Sequence, residues 1–200
     1  LSISKPAENI KQSAYICFEN QKNKITQHIL SKQNTDSKII IFSASKQKVK
    51  DLTYFTKRQK LSVAEIHSDL DQKTRENILR DFKNNKINIL IATDILSRGI
   101  DVENINLVIN YDVPTDPEDY IHRVGRTARA NTDGEAISLV SEKDQSNFLK
   151  IETFIEKNIV KNKIPSNIGK SPSYNRFKNK NNGKKKRNWK KPRKNRYPKK

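Results

Sequence analysis

The chain has 200 residues and a formal net charge of +19, long enough for one sizeable domain with an appendage. The charge is segregated. Residues 161–200 hold 17 Lys/Arg and no acid, leaving 24 basic and 22 acidic groups elsewhere, so a nearly neutral body precedes a polycation. One cysteine, Cys17, excludes an internal disulfide and an all-cysteine metal site and fits a reducing, cytoplasmic setting, and no apolar run reaches the roughly 18 residues of a membrane span.

The opening Leu1-Ser2-Ile3-Ser4-Lys5-Pro6 lacks the pattern of a signal peptide. The chain contains no Met, even at position 1, which suggests a fragment lacking its N-terminal part. Residues 14–18 read as a short strand, and residues 21–33 as a helix with Ile25, Ile29 and Leu30 at helical spacing. The continuous apolar run 39–42 marks a strand buried on both faces. Residues 46–59 form a helix with Val49, Leu52 and Phe55 on one side, and 63–66 a strand. Asp71 caps a helix over 72–84, with Ile78, Leu79 and Phe82 inward. Strands follow at 87–92 and 107–111. A short helix runs from Asp116-Pro117 to about 124, with Pro in the first turn. A strand at 136–140 and a helix at 142–158 complete the pattern. Alternating apolar strands and amphipathic helices imply one α/β domain with a parallel sheet covered on both faces, spanning residues 1–160. Residues 161–200, rich in Lys, Arg and Asn, read as a disordered tail.

Ligands of such sheets bind beyond the carboxyl ends of the strands. The unusual segments lie there: 43–45, 67–70, 93–101, and above all His122-Arg123-Val124-Gly125-Arg126-Thr127-Ala128-Arg129. Three arginines spaced by three residues present fixed forks of donors suited to phosphate oxygens. Gly125 permits a close approach of backbone or ligand. Such a cluster at a helix start suits stabilising a phosphate in transfer; the bland reading is a solvated basic patch. Gly169-Lys170-Ser171 imitates the end of a phosphate-binding loop, but Ile164 stands where that pattern needs glycine, so it reads as linker.

Taken together, these segments resemble the C-terminal RecA-like half of a DEAD-box RNA helicase, closest to the bacterial RhlE-like group, over roughly residues 5–160. Residues 39–45 resemble motif IV. Gln72-Lys73-Thr74-Arg75, after His67-Ser68-Asp69-Leu70, resembles the QxxR motif. Ala92-Thr93-Asp94 with Ser97-Arg98-Gly99-Ile100-Asp101 resembles motif V, and Tyr120-Ile121 with the octet resembles motif VI. Ala128 departs from a frequent Gly, and Ser97 from a frequent Ala.

The resemblance implies an ATP-dependent RNA helicase. Its arginine fingers would be Arg126 and Arg129, reaching the γ-phosphate of ATP. Gly99 would admit the nucleotide and Asp101 would accept from its ribose. Ser45, Gln72, Arg75 and Thr93 would contact RNA phosphates, while Arg98, His122 and Arg123 would couple the two halves. Residue by residue, plainer readings stand beside these: His122 as a satisfied interface histidine, Asp101 as a loop cap, Arg75 as a helix-surface partner of Asp71. ATP with Mg²⁺ would be held mainly by an N-terminal RecA-like domain, since the ATP-binding lysine and magnesium-binding acids are missing from this sequence. The isolated chain is therefore expected to be inactive. The implied partners are single-stranded or locally unwound RNA and that N-terminal domain, with no membrane. The tail, with Tyr174, Phe177, Trp189 and Tyr197 among its cations, suits sequence-independent RNA binding. An ATP-independent RNA-binding or annealing protein using that tail is the alternative.

Overall fold

The computed structural model describes residues 10–94, 105–127 and 134–174. In chain order the elements are β1 (Ile10–Ile16), α1 (Lys22–Leu30), β2 (Ile39–Phe42), α2 (Lys46–Lys57), β3 (Val63–Ile66), α3 (Gln72–Lys83), β4 (Ile89–Ala92), β5 (Leu107–Asn110), α4 (Pro117–Val124), β6 (Gly134–Val140), α5 (Gln145–Phe154) and β7 (Val160–Asn162). The seven strands form one sheet in the order β3-β4-β2-β5-β6-β1-β7. Every neighbouring pair is parallel.

The sheet is parallel because its central strands have no polar face. β2, β4 and β5 are buried at every position, so each needs helices on both sides. Alternation assigns the sides. Ile39, Ile41, Ile89, Ile91, Leu107 and Ile109 pack with Ile25 and Ile29 of α1 and Val49 and Leu52 of α2. Ile40, Phe42, Leu90 and Val108 point the other way, onto Phe82 of α3. Farther along that second face, Ala14, Ala136 and Val140 meet Tyr120 and Val124 of α4 and Phe148 and Ile151 of α5.

Three expectations shift. The first strand begins at Ile10 rather than residue 14. Its Gln12 and Ser13 are buried because they have partners: Gln12 Oε1 accepts from the Tyr120 hydroxyl at 2.9 Å, and Ser13 Oγ from Asn162 Nδ2 at 3.0 Å. The last helix is shorter than 142–158. A 3₁₀ turn precedes it, and Glu156 at φ 53° lies beyond its end. The expected boundary at residue 160 falls within β7, and the chain continues to pack as far as Tyr174. Ile164 and Ile168 lie against the first core. Gln21 Nε2 donates to the carbonyls of Ile168 and Lys170 at 3.3 and 3.0 Å. The Tyr174 ring meets Phe148 edge-to-face at 6.2 Å, and its hydroxyl donates to Glu152 Oε2 at 2.8 Å. Glu152, buried to 1% exposure, also accepts from the Ile159 amide and pairs with Lys161.

In urea unfolding, Phe148→Ala is expected to cost roughly 3–5 kcal/mol by opening a cavity between α5 and the sheet. Tyr54→Ala, which empties no core site, should stay within about 0.5 kcal/mol of the parent.

Candidate functional site

The seven parallel strands end along one edge, and residues that follow several of them form a connected polar layer. Its centre is Asp112, two residues past β5 and 3% exposed. Asp112 Oδ2 accepts from Ser43 Oγ at 2.8 Å and from the Ala44 amide at 2.9 Å, which fixes the loop after β2. Oδ1 accepts from Lys22 Nζ at 3.1 Å and Lys48 Nζ at 2.7 Å. The Lys22 side chain is fully buried, and its ammonium also reaches Asp144 at 3.1 Å and Glu19 at 3.2 Å. Burial opposes ionisation of Asp112, but Lys22, the Ala44 amide, Lys48 and Ser43 outweigh it and hold the carboxyl well below its usual range. The same contest at Glu19 ends with Lys48 and Lys22 bringing its pKa to about 2. Burial also opposes the charge on Lys22, and three carboxylates reverse the balance, raising its pKa.

The arginine octet begins in the last turn of α4, not at a helix start. Asp116 caps the N-terminus by accepting from the Glu118 amide at 2.9 Å, with Pro117 in the first turn. His122 and Arg123 sit in the last turn, where the fixed charge of Arg123 suits the helix dipole. Arg123 points inward and is 1% exposed. Its Nε and Nη2 each lie 2.6 Å from Asp94 Oδ1, just past β4. Its Nη1 donates to Asn110 Oδ1 at 3.2 Å and to the Asp112 carbonyl at 2.8 Å, and the guanidinium stands 5.2 Å from the centre of the Phe42 ring. One side chain thus joins the ends of β2, β4, β5 and α4.

Gly125 has an ordinary φ of −64°. It is needed for closeness: a Cβ would lie 3.1 Å from the Ile121 carbonyl oxygen. The turn it permits is tight, with the Gly125, Arg126 and Thr127 amides donating back to Ile121, Arg123 and Val124 at 2.7, 3.1 and 3.0 Å. Thr127 Oγ1 anchors the far side on the Ile105 carbonyl at 2.8 Å. Arg126 projects from this turn, half-buried, with Nε donating to the His122 carbonyl at 3.3 Å. His122 itself is exposed.

At the other end of the edge, Ser45 caps α2, accepting from the Lys48 amide at 3.3 Å. Asp71 caps α3, accepting from the Thr74 amide at 2.8 Å and the Thr74 hydroxyl at 2.7 Å. Arg75, in the first turn of α3, donates through Nη2 to the Ser68 carbonyl at 3.1 Å rather than pairing with Asp71. Gln72 is exposed and donates to Glu76 at 2.9 Å. His67 orders the loop as its position suggested, with Nδ1 accepting from the Asp69 amide at 3.3 Å. Five buried side-chain polar atoms have no hydrogen-bond partner among the described residues; three are Thr26 Oγ1, Thr53 Oγ1 and His67 Nε2, and the other two are Thr93 Oγ1 and Arg75 Nε. These last two belong to segments expected to touch phosphate, and α3 adds the partial positive charge of a helix N-terminus.

Arg98, Gly99, Asp101 and Arg129 lie outside the described residues. Gly169-Lys170-Ser171 lies on the segment bound by Gln21, and Gly169 has φ 115°; β7 ends at Asn162 just before it, but Ile164 still stands where a phosphate loop needs glycine. Sequence reasoning missed Asp112 and Lys22. The one signal for Lys22 was its spacing, three residues before Ile25 on the stripe that Ile25, Ile29 and Leu30 bury. No helix among the described residues is long and apolar enough to cross a membrane.

A seven-stranded parallel sheet covered on both faces, with an arginine-bearing turn at its strand ends, defines a RecA-like domain. A family profile described as "Helicase conserved C-terminal domain" matches residues 21–131. The chain is 39% identical over 159 residues to the ATP-dependent rRNA helicase RRP3 of Scheffersomyces stipitis, covering 80% of this chain and 33% of that protein. The crystal structure of a DEAD box protein from Methanococcus jannaschii superposes with TM-score 0.72 at 39% identity, covering 78% of this chain and 42% of that one. Dbp5 of S. cerevisiae bound to RNA and ADP BeF3 superposes with TM-score 0.71 at 32% identity, with the same two shares. The chain belongs to the DEAD-box helicase family as a C-terminal RecA-like domain. It spans about a third of the length of the curated relatives it matches. The matches include yeast helicases, the Methanococcus jannaschii protein and the E. coli DEAD-box protein SrmB (TM-score 0.75, 29% identity, covering 84% of this chain and 99% of that one), and they do not confirm the expected bacterial RhlE-like subgroup.

Because the Asp112 and Glu19 pKa values are depressed in the folded chain, their stabilisation is full above the ordinary carboxyl range and lost as pH falls through the folded values. Stability from urea unfolding should therefore hold from pH 7 to 5 and fall from about pH 4 toward 2. Asp112→Ala, which leaves buried Lys22 with only Asp144 and Glu19 and takes the acceptor from Ser43 and the Ala44 amide, should cost roughly 3–5 kcal/mol at pH 7 and reduce that pH dependence.

Proposed function

We propose that this chain is the C-terminal half of an ATP-dependent RNA helicase, supplying both the arginine fingers and part of the single-stranded RNA site. The observation that carries the RNA part is Arg75 in the first turn of α3, whose Nε, like Thr93 Oγ1 just past β4, is one of five buried polar atoms left without a hydrogen-bond partner among the described residues. A phosphate oxygen answers both, and it gains from the helix dipole as well. Ser45 and Gln72 extend that contact along the strand.

The nucleotide part rests on the turn after α4. Arg126 rises from a backbone held by three short-range hydrogen bonds and by buried Arg123. A finger on so rigid a base loses little freedom when it meets charge developing on a transferring phosphoryl group. Arg129 is its second member by family resemblance, with Gly99 and Asp101 at the nucleotide. ATP with Mg²⁺ is held by an N-terminal RecA-like domain. When ATP and RNA bring the halves together, Arg98 and His122 tie the motifs across the cleft, while buried Arg123 couples the motifs within this half. The RNA backbone is then bent in a way that a duplex cannot follow, so pairing is lost locally. Hydrolysis reopens the cleft. Residues 175–200 tether RNA without sequence choice, and a reducing, cytoplasmic setting fits the buried Cys17 thiol, which burial pushes up to about 12.

In the full-length protein, Arg126→Ala should lower the kcat of RNA-stimulated ATPase by roughly a thousandfold while RNA affinity changes little. Equal loss of both contradicts a finger role. The isolated 200-residue chain should show no RNA-stimulated ATPase. Deleting residues 175–200 should weaken RNA binding and flatten its dependence on salt, measured by titration at several ionic strengths.

A further inference from the structure

We propose that the exposed face of α2 is a second contact for single-stranded RNA, prolonging the strand-end site beyond Ser45; this rests on the RNA reading above. Lys46, Lys50 and Tyr54 follow one another at four-residue spacing, and Lys57 and Arg58 return to the same side one turn later. At 100° per residue all five fall within an arc of about 120°. Val49, Leu52, Thr53 and Thr56 occupy the buried face. Each four-residue step rises about 6 Å, comparable to one nucleotide of an extended strand.

The strip is continuous with the site. Helix α2 starts at Ser45, and both Lys46 and Lys50 reach the Asp69 carboxylate, at 3.0 and 3.4 Å. Asp69 lies in the loop whose Ser68 carbonyl holds Arg75. A strand leaving Arg75 and Ser45 therefore meets Lys46 and Lys50 next. Tyr54 follows, and at 67% exposure it is the most exposed large hydrophobic side chain among the described residues. The Arg58 guanidinium lies 6.0 Å from its ring centre, so a base stacked on the open side completes a cation–ring–base sandwich. Four cations and one aromatic ring form a sequence-tolerant surface for a charged backbone with unpaired bases.

Asp69 sets the strength of this contact. Its ion pairs with Lys46 and Lys50 are exposed, and such pairs contribute little, so phosphates can replace it. While it remains, it offsets charge that would otherwise act on RNA. The strip therefore binds less tightly than its lysine content suggests, and removing one carboxylate strengthens it.

The test is fluorescence anisotropy of a labelled 20-nucleotide oligouridylate with the full 200-residue chain, each variant checked by thermal melting. Changing Lys50, Lys57 and Arg58 together to Ala should lower the slope of log Kd against log salt by roughly 2, as three lost phosphate contacts require. Tyr54→Ala should weaken binding about tenfold, with Tyr54→Phe close to the parent. Asp69→Asn should tighten binding and steepen the salt slope, a sign that a structural role of Asp69 would not produce. An unchanged slope in the triple variant, or weaker binding by Asp69→Asn, overturns the proposal. Equal sensitivity of polyglutamate binding to Tyr54→Ala assigns the strip to an acidic protein and also overturns it. If Arg75→Ala weakens binding while every α2 variant matches the parent, the strip alone is wrong. If Arg75→Ala is silent too, the RNA reading of the strand ends falls with it.

Discussion

The buried carboxylate of Asp112 is the constraint around which the working edge of this domain is arranged. Placing an anion at the end of a central strand is costly unless its lone pairs are all engaged. Here four donors engage them: two lysines, a hydroxyl and a backbone amide. That solution fixes the loop after β2 and draws Lys22 of α1 into the interior. It also leaves the Asp112 carbonyl free to accept from Arg123. The loops that carry the proposed RNA and ATP contacts therefore share a common footing.

Arg123 is the second member of this arrangement. Within the octet it is the arginine turned inside, where it spends its donors on Asp94, Asn110 and the Asp112 carbonyl. The segment that ends in Asp94 also carries Thr93, and the turn after Arg123 carries Arg126. A displacement at one is transmitted to the other through a guanidinium with little room to move. Gly125 serves the same end by admitting the Ile121 carbonyl where a Cβ would be a tight fit at 3.1 Å.

Much of the fold was legible because apolar periodicity is a strong signal. β2 and β3 match their expected residues, and α3 starts at its Asp71 cap. What periodicity could not show are the places where polar groups are buried in pairs. Gln12 and Ser13 disguised the start of β1, since nothing local reveals partners 108 and 149 residues away. β7 was hidden in the same way, as Val160-Lys161-Asn162 looks like the start of a basic tail until Glu152 and Ser13 supply its contacts. At the site, the family motifs singled out Arg75, Thr93 and Arg126, and they gave Arg123 a coupling role between halves where the structure shows it buried within this one. They did not lead to Asp112 or Lys22, whose importance arises only when strands distant in sequence lie side by side.

The central claim is that the folded edge, and not the basic tail alone, holds RNA. Photo-crosslinking of 4-thiouridine-substituted single-stranded RNA to the 200-residue chain, with the attached peptides mapped by mass spectrometry, tests it most directly. Crosslinks should fall on the peptides carrying Ser45, Arg75 and Thr93 as well as on residues 175–200. Crosslinks confined to residues 175–200 would contradict it and leave the chain as a tail-driven RNA binder on an inert scaffold.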